Sequence, residues 1–172
     1  MLRTREPGGA PGAELLRTLL LNGPIDWSPP AEVLLHFAAR AEHVERTIRP
    51  ALAAGIWVVC DRFAASTMVY QGDGQGADRA SIATLTGLIG LRPDLIVVLD
   101  VPVATSVARL AGRGGTADRY ESLGAAFFAR VRQGFLDVVA AEPERCVVVD
   151  GQPSPAEVAA AILAAVDHRL PT

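Results

Sequence analysis

Apolar positions follow two rhythms along this chain of 172 residues. Three short runs are apolar and rich in β-branched residues, and each ends on an aspartate: VVCD from Val58 to Asp61, the run in RPDLIVVLDV that ends on Asp100, and CVVVD from Cys146 to Asp150. Uninterrupted apolar runs of this length read as strands buried on both faces. Between them the spacing is helical. Leu34, Leu35, Ala38, Ala41 and Val44 approximate one stripe and predict a helix from Ala31 past Arg49. Ser28 is placed to cap it, Pro29 and Pro30 suit its first turn, Pro50 kinks or interrupts it, and Gly55 stops it. Further helices are expected from roughly Ala13 to Leu21, after an Asp78 cap, around Val103 to Leu110, from about Ser122 to Ala141, and from Ser154–Pro155 onward. The opening RTREPGGAPG reads as a turn-rich loop. Strands alternating with helices mean an α/β fold with a mostly parallel sheet and right-handed crossovers. With no repeat or linker to divide it, residues 1–172 are expected to form a single domain.

Composition narrows the class. Half the residues are apolar and a fifth charged, as in a globular protein. A net charge of −3 argues against a general nucleic-acid or membrane-surface binder, and no apolar run reaches transmembrane length. The opening residues are no signal peptide, so a cytoplasmic location is expected. Cys60 and Cys146 read as buried small hydrophobes rather than a disulfide or metal pair. All sixteen basic residues are arginine; there is no lysine.

The candidate chemistry lies at the strand ends, where open parallel sheets bind ligands. Arg62, directly after the first predicted strand, offers a planar fork suited to phosphate. Asp61 beside it suits a Mg²⁺–water shell or the orientation of that arginine; a plain structural Asp–Arg pair is the alternative. Ser66, Thr67, Tyr70 and Gln71 follow, with Thr67 and Gln71 four apart on one helix face. His36 and Arg40 share a helix face too, which by spacing alone is equally a solvated side. The glycine-rich segment from Arg109 to Glu121 carries Arg109, Arg113 and Arg119, and reads either as a mobile flap bringing arginines to phosphates or as a surface loop.

Six segments then appear in one order: TREPGG, EVLLHFAAR, CDRFAASTMVYQG, RPDLIVVLDVP, DRYE and VVVDG. Together they resemble thymidylate kinase of the bacterial type over essentially the whole chain. The resemblance implies a P-loop NTPase-like, three-layer α/β/α fold, transfer of the γ-phosphate of ATP to dTMP with Mg²⁺, and a homodimer. By position it implies that Arg62 clamps the dTMP phosphate, that Asp61 supports the Mg²⁺ shell, and that Arg5, Glu6 and Arg17 lie beside the acceptor phosphate. The Glu6–Pro7 bond is expected to be cis. Arg40 and Gln71 would hydrogen-bond the thymine edge with Thr67 in reach, and Tyr70 would pack against the sugar. Arg113 would stabilise the transferring phosphoryl, Arg109 and Arg119 would hold ATP, and Gly151 and Gln152 would lie near adenine.

Three departures stand out. The aromatic expected to stack on thymine is His36, with Phe37 one place off, and Gln75 occupies a position where the family commonly has arginine. The sequence also contains no GxxxxGK[S/T], and without lysine none is hidden in divergent form. The expectation is therefore a chain that begins after the first strand and P-loop of the family, loses a central strand with them, and does not phosphorylate dTMP as it stands. The alternatives are a non-catalytic dTMP-binding remnant and a kinase for another pyrimidine nucleotide.

Overall fold

A computed structural model describes residues 1–22, 25–113 and 119–170, apart from the side chains of Arg113 and Glu121. The chain divides into two compact units, Met1–Leu91 with Asp118–Ser122, and Arg92–Ala117 with Leu123–Thr172.

Unit one contains a strand that periodicity misses. Leu2–Arg5 is β1, followed by α1 (Pro11–Asn22) and α2 (Pro29–His43). LRTR carries no apolar run; its extended form comes from pairing with a neighbour, a tertiary effect rather than a local one. Residues Val44–Ile48 then widen into a π-helical turn before α3 (Arg49–Ala53). Pro50 supplies the reason, since it has no N–H and its ring crowds the carbonyl four residues back. Val58–Asp61 is β2, parallel to β1 with Leu2 opposite Val58 and Arg5 opposite Asp61. The ladder continues past the strand ends, the N–H of Glu6 donating to the Asp61 carbonyl at 2.9 Å. After β2 come α4 (Ala64–Thr67), a second π-helical stretch (Met68–Gly74) and α5 (Arg79–Ile89). The Asp78 carboxylate caps α5 as expected, accepting from the backbone of Ala80 and Ser81. Ser28 does not cap α2 through its hydroxyl. Pro30, at the second helical position, removes one of the two backbone donors such a cap would use.

The core of unit one explains where α2 sits. Ala10, Ala13 and Ala39 let α1 and α2 approach closely, while Val33 and Phe37 on α2 pack with Ile82 of α5. Burying apolar side chains of that size stabilises by about 1.5–3 kcal/mol each.

Unit two has β3 (Ile96–Asp100), α6 (Val103–Arg113), a short 3₁₀ turn at Glu121–Leu123 leading from unit one, α7 (Gly124–Ala141), β4 (Cys146–Asp150) and α8 (Pro155–Arg169). The strands β3 and β4 run parallel with Asp100 opposite Asp150. Ser154 and Glu157 form a reciprocal cap on α8. Among the described residues the strands form two separate two-stranded parallel ladders, β1–β2 and β3–β4. No helix there is long and apolar enough to cross a membrane. Both cysteines are free thiols; Cys146 is buried as expected, and Cys60 only partly so. Burial, with Glu6 and Asp61 nearby, pushes the Cys60 thiol up to about 12, and burial also raises Cys146.

Candidate functional site

Four polar residues recur along α2 at intervals of three or four: Glu32, His36, Arg40 and His43. That spacing stacks them on one helix face, and the face is buried, not solvated. Burying such groups is unfavourable unless each finds a partner, and here nearly every one does. Arg40 donates from Nε to Glu6 Oε2 at 2.7 Å and from Nη2 to Thr67 Oγ1 at 3.1 Å. Its guanidinium lies over the Phe37 ring, 4.7 Å from the centroid, with Phe63 at 5.4 Å. Glu6 uses its other oxygen to accept from His43 Nδ1 at 3.1 Å, and His43 Nε2 lies 2.7 Å from Thr4 Oγ1. A side-chain carbon at Gly9 would collide with His43 and Thr4, so glycine is required there. One atom is left over. Arg40 Nη1 is buried and has no hydrogen-bond partner.

A second cluster lies further along the same face. Glu32 Oε1 accepts from Gln71 Nε2 and from the Tyr120 hydroxyl, both at 2.8 Å, and Glu32 Oε2 lies 3.1 Å from Arg119 Nη1. Gln71 Nε2 also reaches the Tyr120 oxygen at 3.1 Å, and His36 Nε2 lies 2.9 Å from it. Burial, then the charges of Arg40 and Arg119, push His36 down to about 3, so its ring is neutral near pH 7. The π-helical stretch carries both Tyr70 and Gln71, a feature that recurs where side chains are re-aimed at sites.

Arg62 follows β2 with φ of 69°, left-handed backbone that is unfavourable for a side chain of this kind. Its guanidinium lies 4.8 Å from the centroid of Tyr70, whose ring meets Tyr120 edge-on. Asp61 ends β2 beside it. Along β1 runs a groove lined by Thr4, Arg5, Gly9, Glu14, Thr47 and Asp61. There the Gly9 N–H holds the Glu14 carboxyl below the usual range, with Arg5 and Arg17 adding to the effect. Arg5 itself pairs with Glu14 at 3.2 Å, and Arg17 donates to the Pro7 carbonyl at 2.7 Å. The Glu6–Pro7 bond is cis, as expected.

In unit two, Arg109 donates to the carbonyls of Gly151 and Gln152 at 2.9 and 3.3 Å, so three of the residues expected at ATP lie together. A side-chain carbon at Gly151 would lie 2.9 Å from Val101 Cγ1 and 3.3 Å from the Asp100 carbonyl. Asp100 is held bidentately by Arg132, which keeps its carboxyl below the ordinary range. Arg119, also expected at ATP, donates from Nη2 to Asp26 at 2.7 Å and forms an ion pair with Glu32 at 3.1 Å. The Arg113 side chain and residues 114–118 of the expected flap lie outside the described residues. Gln75, a departure from the family pattern, has its Oε1 buried without a partner.

Sequence reasoning therefore missed Glu32, His43, Tyr120, Glu14 and Arg132. For Glu32 and His43 the signal was present, since they continue the spacing of His36 and Arg40. Tyr120 lies inside DRYE but carries no mark of its distant partners.

The sequence model of the thymidylate kinase family matches residues 1–162. The thymidylate kinase of Caulobacter vibrioides is 50% identical over 170 residues, which cover 97% of this chain and 81% of that protein. That of Dinoroseobacter shibae is 51% identical over 165 residues, covering 95% of this chain and 80% of that protein. Among solved structures, thymidylate kinase from Ehrlichia chaffeensis superposes with a TM-score of 0.77 at 30% identity, covering 96% of this chain and 80% of that one. Parallel strands alternating with helices are consistent with the P-loop NTPase-like fold. On these similarities, the chain belongs to the thymidylate kinase family.

Proposed function

We propose that this chain serves the transfer of a phosphoryl group from ATP to dTMP, giving dTDP, and that the buried face of α2 is where the thymine is read. One observation carries the reading: Arg40 Nη1, a buried cationic donor without a partner. Such a group is costly unless something accepts its proton. A base carbonyl arriving beside Phe37 and Phe63 would do so, and Thr67 and Gln71 complete the polar edge. Tyr70 would face the sugar. Arg62 suits the acceptor phosphate because its fork follows a strand end and is braced by Tyr70. Arg5, Glu6 and Arg17 would stand near it.

Mg²⁺ ordinarily keeps several waters and takes one or two carboxylates plus phosphate oxygens. Asp61 at the end of β2 fits that limited role, and Mg²⁺ would neutralise charge on the phosphates. Arg109, Gly151 and Gln152 are proposed to contact ATP, with Arg113 and Arg119 in the expected phosphate-binding roles. The protein is proposed to act as a homodimer in the cytoplasm.

These 172 residues hold no GxxxxGK[S/T] and no lysine. Backbone amides of that loop and its lysine are what cradle the transferring phosphate. The residues present thus build the acceptor side, and dTMP binding without dTDP formation is the expected behaviour of this chain alone. Calorimetric titration with dTMP, beside an assay for dTDP, tests both parts. Replacing Arg40 with Ala should weaken dTMP binding by about 1.5–3 kcal/mol; unchanged affinity would remove Arg40 from the pocket.

A further inference from the structure

The hydrogens of the cluster around Glu32 can be assigned one by one, and together they dictate which face Gln71 shows to a ligand. A carboxylate only accepts. Glu32 Oε1, whose side chain is 1% exposed, therefore takes the single hydroxyl hydrogen of Tyr120 and one hydrogen of Gln71 Nε2. The Tyr120 oxygen, having donated, is left as an acceptor. It takes the Nε2 hydrogen of the neutral His36 ring and lies 3.1 Å from Gln71 Nε2. The Gln71 nitrogen is thereby turned toward Glu32 and Tyr120, and its carbonyl oxygen is the other branch of the amide. The reverse orientation of the amide would place its carbonyl oxygen against the Glu32 carboxylate, two acceptors with no proton between them.

From this juxtaposition we infer that Glu32 and Tyr120 are specificity-determining positioning residues, holding the Gln71 amide with its nitrogen against Glu32 so that its carbonyl oxygen is presented as an acceptor, beside the donor offered by Arg40. The inference rests on the reading of this face as the base pocket and adds its selection rule. A donor next to an acceptor matches a pyrimidine edge with a carbonyl beside a ring N–H, as in thymine or uracil. Cytosine presents the inverse pair, an amino group toward the Arg40 donor and a bare ring nitrogen toward the Gln71 acceptor. Sites built around hydrogen bonds reject a mismatched analogue strongly because their own groups are left unpaired. The pair does not sense the 5-methyl group, so it separates thymine from cytosine but not from uracil.

The test is calorimetric titration of dTMP and dCMP onto the full chain and two near-isosteric variants, Glu32→Gln and Tyr120→Phe. The unaltered chain should prefer dTMP by about 100-fold or more. In Glu32→Gln the new amide can donate as well as accept, so Gln71 becomes free to turn over. The preference should fall by about 10-fold or more while dTMP binding is largely kept. Tyr120→Phe removes one of the two acceptors and should lower the preference less. A role in folding alone would weaken both nucleotides in parallel, and an unchanged dCMP-to-dTMP ratio in Glu32→Gln overturns the inference. Should that variant not fold, Tyr120→Phe decides by the same criterion. Failure of the unaltered chain to bind dTMP at all would overturn the base-pocket reading, and with it the selection rule. Normal dTMP binding with an unmoved ratio overturns only the inference.

Discussion

Two arginine–carboxylate pairs in this molecule have the same length and opposite surroundings. Arg40 Nε lies 2.7 Å from Glu6 Oε2 with the two side chains 2% and 4% exposed. Arg132 Nε lies 2.7 Å from Asp100 Oδ1 with exposures of 42% and 22%. Distance alone would rank them equal. Burial separates them, because water screens the second pair and can replace either partner, whereas the first has nothing else to turn to. The pairs also differ in completeness. Arg132 meets both oxygens of Asp100 in a closed fork, while Arg40 retains a buried terminal nitrogen, Nη1, without an acceptor. The exposed pair ties β3 to α7 and is satisfied; the buried pair is an unfinished arrangement that a ligand can complete.

The largest effect that would break this contrast is removal of the Glu6 carboxylate. Glu6→Ala strands Arg40 and takes the acceptor from His43, and should destabilise the chain by about 3–5 kcal/mol. Urea denaturation measures it, and a loss below about 1 kcal/mol would show that the buried pair behaves like a surface one.

Next in size is a pH effect confined to the buried face. The folded pKa of His36 is depressed to about 3, below the unfolded value near 6.5. The unfolded state therefore takes up the proton first. The stability contributed by neutral His36 is complete above about pH 6.5 and is lost as pH falls toward 3, on the order of 1 kcal/mol per pH unit. Comparison of pH 6 with pH 5 avoids most carboxylate titration, since Glu14, Asp78, Asp100 and Glu157 are all shifted downward. His36→Gln should flatten the dependence over that interval. An equal slope in both proteins would mean that the His36 ring is protonated or solvated in the folded state.

How far this contrast was legible beforehand depends on the kind of signal. The strands ending on Asp61, Asp100 and Asp150 and the caps at Asp78 and Ser154 are written locally, in β-branched runs and in polar side chains just ahead of helices. β1 is not, because two arginines in four residues give no apolar run and its pairing with β2 supplies the conformation. The π-helical stretches were hidden as well, the second of them carrying Tyr70 and Gln71. On α2 the interval from Glu32 to His43 was visible but its burial was not. A polar stripe at helical spacing looks the same whether it meets water or, as here, Glu6, Thr67, Gln71 and Tyr120. Arg119 shows the same limit. Its ion-pair partners Glu32 and Asp26 lie more than eighty residues earlier in the chain, where nothing next to Arg119 in sequence points to them.

The smallest effect is expected at the exposed pair. Asp100→Ala should cost no more than about 1 kcal/mol, despite its two short hydrogen bonds. Thermal melting of this variant beside Glu6→Ala sharpens the comparison, and equal losses would make bond geometry rather than burial the deciding factor.

Whether the buried face of α2 receives the acceptor base can be observed directly at its unfinished group. Since every basic side chain is arginine, ¹⁵N-arginine labelling reports both guanidinium groups in one NMR spectrum. With saturating dTMP, the Arg40 side-chain resonances should shift and their N–H protons become slower to exchange, while those of Arg132 stay in place. An Arg40 signal unmoved by saturating dTMP would contradict the account.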